Sequence, residues 1–554
     1  MENVTLTARR SKFLTRRETE KKPSITQNQS FSPQLDYRNH LDNWITEIHL
    51  LKNGSKWNQL LISMSTIESI PKEKSAITLV NSEFLQLQEA NNFIKAAYKE
   101  LMTMAYEAKT WVVGTPAVGS VEDFLSIFRS SPQSGMRVEC SIESAFLPIS
   151  PGNLITILME PSQWPSVLPN IVLEGSSHAP TGVFQWLDDD NSKTFYAMVD
   201  VEYHLPSPFV PTRQFRFLRC LKMIPPGVWV IVDLSEDYFP HTPDSPMKNR
   251  RRPSGMIIRT HDDSCEVIWI ESVEVETCLD QNNIFSTMVN SNLAFCAKRW
   301  VSTFLQRLKR SVSSFTNLKI QVDHQAQAIM LKLTDRMEMI FFNCVSEAPS
   351  GYRWDIISDQ GVRILRDKAV YNSHVLGYNT YVGLTSFRVP AKPLRVFNFL
   401  VKRNLELLWP SLLNAKEPEE VIKLVAEDNN CITLHRKVVP QNESTECYEY
   451  MLQEASKEEF CSFVISSPIT QSDIKAAFSS AMITKYLKPS GFAIMPDGSK
   501  GLESDASLVT IAVQQDLDAA ENGGAIEAMN NVIIAMIKEI NEEVMSDGKT
   551  PSQS

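Results

Sequence analysis

Long apolar runs and paired cysteines are both absent from this chain of 554 residues. No stretch approaches the roughly 18 consecutive apolar residues of a membrane-spanning helix, so we expect no transmembrane segment. The basic, Ser- and Thr-containing N-terminus has no apolar core, which argues against a secretory signal. Nine cysteines are scattered without a Cys-x-x-Cys pair, which is typical of reduced, intracellular thiols.

An excess of positive charge is also missing. The formal net charge is −10, so the chain as a whole is not attracted to nucleic acid or to an anionic membrane. Any basic surface must therefore be local. Residues 248–252 (Lys-Asn-Arg-Arg-Arg) are the dense basic run of the body, which we interpret as a solvated loop, an import signal or a phosphate-binding surface.

Signatures of catalysis are missing as well. The nine histidines show no zinc-ligand spacing, and there is no Gly-x-Ser-x-Gly elbow, Walker loop or dinucleotide fingerprint. Three consecutive aspartates at 188–190 are better explained as an acidic loop tip than as a metal cluster. We therefore predict that the protein is not an enzyme and uses neither a cofactor nor a metal.

What the sequence does contain is a repeat. The triplet Pro253-Ser254-Gly255 recurs 236 residues later as Pro489-Ser490-Gly491. Upstream, Trp164-Pro165 recurs 245 residues later as Trp409-Pro410. Two landmarks in the same order at nearly the same spacing predict two copies of one fold. We assign no chemistry to Ser254, and we explain Gly255 by a strand entry that tolerates no side chain.

The hydrophobic pattern predicts an α+β fold. Residues 1–35 lack periodicity, and we expect them to be disordered. Residues 81–108 carry an apolar stripe at helical spacing, and residues 282–310 predict one helix of about 40 Å. Between them, residues 194–275 contain alternating, strand-like runs. An antiparallel sheet curved around such a helix would leave an apolar space for a ligand.

These residues resemble the START (lipid-transfer) domain and START-associated region of plant class IV homeodomain-leucine zipper proteins. The motifs that carry the resemblance are LITILMEPSQWPSVLPNIV (154–172), LPSPFVPTRQFRFLRC (205–220), GVWVIVDLS (227–235), RPSGMIIR (252–259), AKRWVSTFLQR (297–307), LKPSGFAIMPDG (487–498) and SLVTIAVQ (507–514). The resemblance implies two tandem helix-grip (START-like) domains, each a curved antiparallel sheet around a long C-terminal helix. We expect a disordered or degenerate helical region at 1–80, a START domain at 81–315 and a START-like, START-associated domain at 316–550.

The chain also departs from that family. Residues 1–80 contain no Trp-Phe-x-Asn-Arg recognition motif and no zipper, so direct DNA binding is not expected. Ser272 stands where the family usually has His, and residues 477–483 stand where it has a Gly-Gly pair. Either relaxed constraint or a specialised paralogue explains these departures.

A ligand site is predicted around one strand. Alternation places Arg213, Phe215, Phe217 and Arg219 on a single face. A buried guanidinium needs a carboxylate or a polar head group for its donors. The resemblance implies an inward arginine, for which Arg219 is the match. The alternative for Arg219 is a plain surface salt bridge at the edge of the sheet.

Other members of the predicted cavity come from neighbouring strands. Glu202 is the candidate partner of Arg219. Trp229 and Trp269 alternate in their strands, and each is either a lipid contact or plain core. The predicted lipid-cavity set is Arg219, Glu202, Phe217, Phe215, Trp229 and Trp269.

The resemblance implies a lipid- or sterol-binding regulatory protein, without its own homeodomain, that acts in transcription regulation in the nucleus. It would act through its ligand and through homo- or heterodimers with related transcription factors. The alternative is a cytosolic lipid carrier or transfer protein. Because residues 477–483 show no polar anchor, we expect the first copy to bind ligand and the second to be structural or partner-binding.

Overall fold

The computed structural model describes residues 77–546, except for 108–131, 180–193, 225–226, 240–247, 277–279, 281, 313–315, 318–323, 349–353, 368–377, 410–417, 427–429, 443–444, 471–486 and 519–521. The predicted N-terminal disorder therefore lies outside the described residues. The described residues all belong to one compact unit. None of the described helices is long and apolar enough to cross a membrane.

The first sheet is antiparallel and consists of eight described strands. Its order is β1-β8-β7-β5-β4-β3-β2, and the short β6 also pairs with β8. The strands are β1 (Met136–Leu147), β2 (Val172–His178), β3 (Thr194–Tyr203), β4 (Arg213–Ile224), β5 (Val228–Ser235), β6 (Arg250–Arg251), β7 (Ser254–His261) and β8 (Ser264–Glu276).

Helices lie on both faces of this sheet. They are α1 (Ile77–Glu107), α2 (Pro151–Leu158), α3 (Trp164–Val167), α4 (Ser286–Asn290) and α5 (Ala297–Val312). On one face, Ala97 and Leu101 of α1 pack with Leu218, Val232 and other buried residues of the sheet into a single apolar core. The opposite face is the concave one, and α5 lies across it with Trp300, Phe304 and Leu308 buried. The sheet is therefore covered on both sides.

The single long helix predicted at 282–310 is wrong in one respect. The structure divides it into α4 and α5, and the chain between them contains Asn292 with a backbone φ of 59°. That left-handed conformation cannot continue an α-helix, and asparagine tolerates it better than most residues. The periodicity of the apolar residues continues across the break, which is why the sequence does not reveal it.

The second sheet is antiparallel, and its described part contains ten paired strands. Its order is β10-β11-β12-β19-β17-β16-β15-β14-β13-β9. The strands are β9 (Thr316–Asn317), β10 (Trp354–Gln360), β11 (Val362–Asp367), β12 (Tyr378–Val389), β13 (Glu419–Val425), β14 (Cys431–Asn442), β15 (Thr445–Ser456), β16 (Ser462–Ile469), β17 (Ser490–Pro496), β18 (Ser499–Leu502) and β19 (Ser507–Asp518), of which β18 stands outside this order.

The helices of this half are α6 (His324–Cys344), α7 (Pro393–Leu408) and α8 (Asn522–Ser546). The long C-terminal helix α8 buries Met529, Ile533 and Ile540 in one apolar core with α7 and the sheet. Gly383 of β12 allows this packing, because a Cβ there would meet Ile533 Cδ1 at 2.6 Å. The helix therefore lies directly against the strand.

The strand orders of the two sheets correspond element by element. The first seven-strand path, β1-β8-β7-β5-β4-β3-β2, is matched by β12-β19-β17-β16-β15-β14-β13. In each half, a helical segment follows the first strand of this path and a long helix follows the last strand in the chain. The expectation of two tandem helix-grip domains is confirmed, and β10 and β11 extend the second sheet at one edge.

The Pro-Ser-Gly landmark begins the same strand in both sheets. A Cβ on Gly255 would lie 2.0 Å from the Ile231 carbonyl oxygen, and one on Gly491 would lie 2.4 Å from that of Val464. The serine before each glycine accepts a hydrogen bond from the next strand, from Ser272 N to Ser254 Oγ (3.1 Å) and from Gln514 N to Ser490 Oγ (2.9 Å). Ser254 therefore has a structural role that the sequence analysis did not assign.

Candidate functional site

The concave face of the first sheet and α5 enclose a layer of aromatic rings. The rings of Trp269 on β8 and Trp300 on α5 are stacked, with centroids 5.2 Å apart. Trp300 also contacts Tyr203 and Trp164 edge-on, at 5.0 and 6.2 Å. We call the space bounded by this layer the first grip.

A bidentate ion pair lies at one side of the first grip. Arg219 on β4 donates from Nε to Asp233 Oδ1 and from Nη2 to Asp233 Oδ2, both at 2.7 Å. The remaining nitrogen, Nη1, donates to the Leu158 carbonyl at the end of α2. The guanidinium also stands 4.8 Å from the ring centre of Trp164. Such fork-to-fork pairing fixes both side chains as well as neutralising them.

A second buried ion pair adjoins the first. Arg251 donates to Glu271 Oε2 at 2.8 Å and to the Tyr203 hydroxyl at 3.0 Å. Its Nη2 is also 3.8 Å from Asp233 Oδ2, so the two pairs form one network. Trp269 Nε1 completes the network by donating to Glu271 Oε1 at 2.8 Å. Within the described residues, Arg251 Nε is a buried donor without a partner.

The four ionic groups carry two positive and two negative charges, so the network is balanced. Burial opposes the charge on Arg251, but Glu271, Tyr203 and Asp233 outweigh it and raise the pKa of this guanidinium. Burial raises the pKa of the Tyr203 hydroxyl, which therefore remains a neutral donor and acceptor near neutral pH. Burying four charges is costly, and the mutual pairing offsets that cost.

The first grip is narrow. The cavity bounded by Trp164, Tyr203, Trp269, Trp300 and the ion pairs has a volume of about 10 Å³, which is the size of one water. Pockets that bury a drug-sized ligand measure about 300–1,000 Å³. A lipid can enter only if the helix and the aromatic layer move apart.

The predicted residues do not all meet at this place. Arg219 and Trp269 line the cavity, and Phe215 and Phe217 are buried on the same face of β4. Trp229 is only partly buried, at the beginning of β5 opposite Met223. Glu202 lies opposite Gln214 and accepts a hydrogen bond from Thr212 Oγ1 at 2.5 Å.

Glu202 is therefore not the partner of Arg219. In the β3–β4 register, Arg219 faces Ala197, five residues away from Glu202 along β3. The carboxylate that pairs with Arg219 comes from β5 on the other side. Alternation along the strands does not show that Asp233 is the partner of the arginine, because that pairing depends on the register between β4 and β5.

The three arginines of the basic run 248–252 are paired within the fold. Lys248 is 75% exposed in its side chain, but Arg251 lies in the first grip. Arg250 pairs with Asp237, and Arg252 donates to Glu274 at 2.8 Å. The interpretations as a solvated loop, an import signal or a phosphate surface are wrong for the three arginines, because each has a carboxylate partner in the fold. Their partners are distant in sequence, so no local signal shows them.

We call the corresponding space between the second sheet and the helices α7 and α8 the second grip, and it has no equivalent charges at the matching positions. The register that pairs Arg219 with Asp233, and Asp233 with Ser254, pairs Gln453 with Ser466, and Ser466 with Ser490. Asn404 of α7 donates to Gln453 Oε1 at 3.2 Å and to Ser466 Oγ at 3.1 Å.

The second ion pair is replaced by apolar residues. Leu487 stands two residues before the repeated proline, as Arg251 does, and is buried. Val513 stands in the register position of Glu271 and belongs to the apolar core around α8. Residues 477–483, where no polar anchor was expected, lie outside the described part of the chain.

Comparisons with known proteins agree with this architecture. Residues 93–311 match the START domain family, and residues 323–545 match the family described as PDF2-like, C-terminal domain. Homeobox-leucine zipper protein HDG3 of Arabidopsis thaliana is 27% identical over 475 residues, which are 80% of this chain and 64% of HDG3. HDG12 of the same plant is 27% identical over 529 residues, 90% of this chain and 74% of HDG12.

A rice relative covers less of both proteins. ROC8 of Oryza sativa subsp. japonica is 29% identical over 407 residues, 70% of this chain and 56% of ROC8. Human STARD10 is 14% identical with a TM-score of 0.23, covering 36% of this chain and 83% of that one. The human StarD13 lipid transfer and protein localization domain is also 14% identical, with a TM-score of 0.22, covering 40% and 98%.

Proposed function

We propose that the protein is a lipid- or sterol-binding regulator related to homeobox-leucine zipper proteins. The proposal rests on the START domain and the PDF2-like C-terminal domain that follows it. Its function is binding rather than catalysis. We set the boundaries at 81–315 for the first domain and 316–550 for the second, and both family matches fall within them.

The charged network in the first grip carries this proposal. A stable core does not require two buried ion pairs, because replacing such pairs by apolar residues of similar volume often leaves the protein as stable or makes it more stable. The second grip contains such a replacement, with Leu487 and Val513 at the positions of Arg251 and Glu271. The first grip retains donors and acceptors beside aromatic surfaces, which suits a ligand with a small polar end and an apolar body.

The proposed role is in transcription regulation in the nucleus, through the ligand and through partners that include related transcription factors. The relatives are named homeobox-leucine zipper proteins, and residues 1–80 of this chain contain no recognition-helix motif. A fluorescent fusion found in nuclei supports this role. A fusion excluded from nuclei supports the cytosolic lipid carrier instead.

Lipid analysis of the purified full chain tests the binding function. The informative variant is Arg219→Met with Asp233→Leu, which removes both charges together and leaves no buried ion unpaired. The matched control is Gln453→Met with Ser466→Ala at the same register positions of the second sheet. We expect native mass spectrometry to find lipid in the wild type and the control, with at least a tenfold loss in the first variant. Lipid lost only in the control would overturn the assignment of the site.

A further inference from the structure

Helix α5 has two faces that contact different domains. Trp300, Phe304 and Leu308 point into the first domain and are each at most 3% exposed. The other face carries residues at every fourth position, which lie one above another on a helix. All of them contact the second domain, and they are Lys298, Ser302, Gln306 and Arg310.

The first turns of α5 make contacts of moderate exposure. Lys298 Nζ lies 2.7 Å from Glu459 Oε1, and Ser302 Oγ donates to Glu459 Oε2 at 2.9 Å. Gln306 Nε2 donates to the Lys457 carbonyl at 3.4 Å. The hydrogen bond to Glu459 raises the pKa of Lys298, which keeps this lysine charged. One carboxylate therefore attaches two turns of α5 to the second domain.

The last turns are attached by a buried cluster. Arg307 Nη2 donates to Glu338 Oε2 at 2.6 Å, and Arg310 Nη1 contacts the same carboxylate. Arg310 Nη2 lies 3.1 Å from Glu454 Oε1 and donates to Thr334 Oγ1 at 2.6 Å. Glu338 belongs to α6 and Glu454 to β15, so two elements of the second domain hold this end.

The charges of this cluster depend on one another. Burial alone would raise the pKa of Glu338, but Arg307 and Arg310 outweigh it and hold that pKa below its usual range. Burial raises the pKa of the adjacent Glu454 well above its usual range. Displacing α5 would leave Glu338, which is 1% exposed, without its cations. The interface therefore resists movement of α5.

Ligand entry into the first grip requires the walls of its cavity to move apart. The cavity of about 10 Å³ is closed on the helix side by Trp300, whose ring is stacked on Trp269. Space for a lipid can be made by moving the sheet, Trp300 or α5, and the outer face of α5 contacts the second domain.

We propose that the second domain is a restraint on α5, so that its contacts with Lys298, Ser302, Gln306, Arg307 and Arg310 oppose opening of the first grip. Energetic coupling of this kind is reciprocal. A ligand that moves α5 weakens the contacts with the second domain, and a partner that draws the second domain away opens the grip. The ligand half of this inference rests on the proposed function, whereas the restraint on α5 does not.

Hydrogen–deuterium exchange of the full chain measures the restraint without any ligand. In Glu459→Lys, an exposed pair becomes a repulsion with Lys298. We expect the amides of 297–312 to exchange about two- to fivefold faster, as the loss of such a pair predicts. The swap Lys298→Glu with Glu459→Lys should restore slow exchange. The matched control Glu539→Gln alters an ion pair with Arg403 on the other side of the second domain and should leave α5 unchanged.

Lipid recovery from the same variants distinguishes the restraint on α5 from the proposed lipid-binding function. Faster lipid uptake in Glu459→Lys supports the complete coupling. If no variant contains lipid but α5 still exchanges faster, the restraint stands and the proposed function fails. Unchanged exchange of α5 in Glu459→Lys, or an equal increase in every element of the chain, overturns the restraint.

Discussion

Arg219 and Asp233 face each other across β4 and β5 and share two hydrogen bonds of 2.7 Å inside the first grip. At the same register of the second sheet, Gln453 faces Ser466. The two copies of one fold thus differ in whether charged side chains occupy these positions. The first copy has two buried ion pairs at positions where the second copy has uncharged side chains.

The first prediction concerns the contribution of this ion pair to the free energy of unfolding. Asp233→Asn leaves Arg219 buried without its counter-charge, so we expect a loss of about 3–5 kcal/mol in the free energy of unfolding. Arg219→Met with Asp233→Leu should lie within about 1 kcal/mol of the wild type, because no charge remains unpaired. Urea unfolding of the full chain measures both. A single variant as stable as the double variant would contradict the prediction.

The second prediction concerns the basic run. Arg251→Ala should cost about 3–5 kcal/mol, because Glu271 loses its buried partner. Lys248→Ala should change stability by less than about 0.5 kcal/mol, because its pair with Glu276 is long and exposed. Thermal unfolding of the two variants, made side by side, measures the difference. Equal effects would show that the run is a surface loop after all.

The third prediction concerns the repeated glycine. Gly255→Ala and Gly491→Ala should each destabilise the protein by more than about 2 kcal/mol, because the methyl group would meet a neighbouring strand's backbone. Gly152→Ala in α2 is the control, since nothing lies within 4 Å of a Cβ there. We expect it to be neutral or to stabilise by up to about 1 kcal/mol. Denaturant midpoints of the three variants measure these differences in stability.

The fourth prediction concerns pH. Burial raises the pKa of Glu458 from 4.5 to about 7 in the folded protein. Below the unfolded pKa the group is protonated in both states, and its contribution to stability is fully present. As pH rises from about 4.5 to 7, only the unfolded state releases the proton, so stability falls by up to about 3 kcal/mol.

Glu458→Gln removes this titration while keeping an acceptor for Asn170 Nδ2, which lies 3.3 Å from Glu458 Oε2. The variant should therefore lose less stability than the wild type between pH 5 and pH 7. Urea unfolding at several pH values within that range measures the slope. Identical slopes in the two proteins would assign the pH dependence to other groups.

Much of the fold could be predicted because it is encoded by local patterns. The repeated Pro-Ser-Gly and Trp-Pro landmarks indicate two copies, and the described strand orders confirm them. Alternation in β4 correctly places Phe215, Phe217 and Arg219 on one buried face. Such patterns depend on the two-residue period of a strand, which is a property of the chain itself.

The identity of each partner was decided only by the tertiary structure. Alternation shows that Arg219 points inward, but the register between strands determines whether Glu202 or Asp233 meets it. Likewise, Arg251 looks like a surface residue in the sequence until the fold brings Glu271 to it. Cavity volume follows from how Trp300 stacks on Trp269, and packing of that kind depends on residues far apart in the chain. The sequence by itself determined two grips and their inward faces, and the three-dimensional contacts decided which grip is charged and how tightly it is closed.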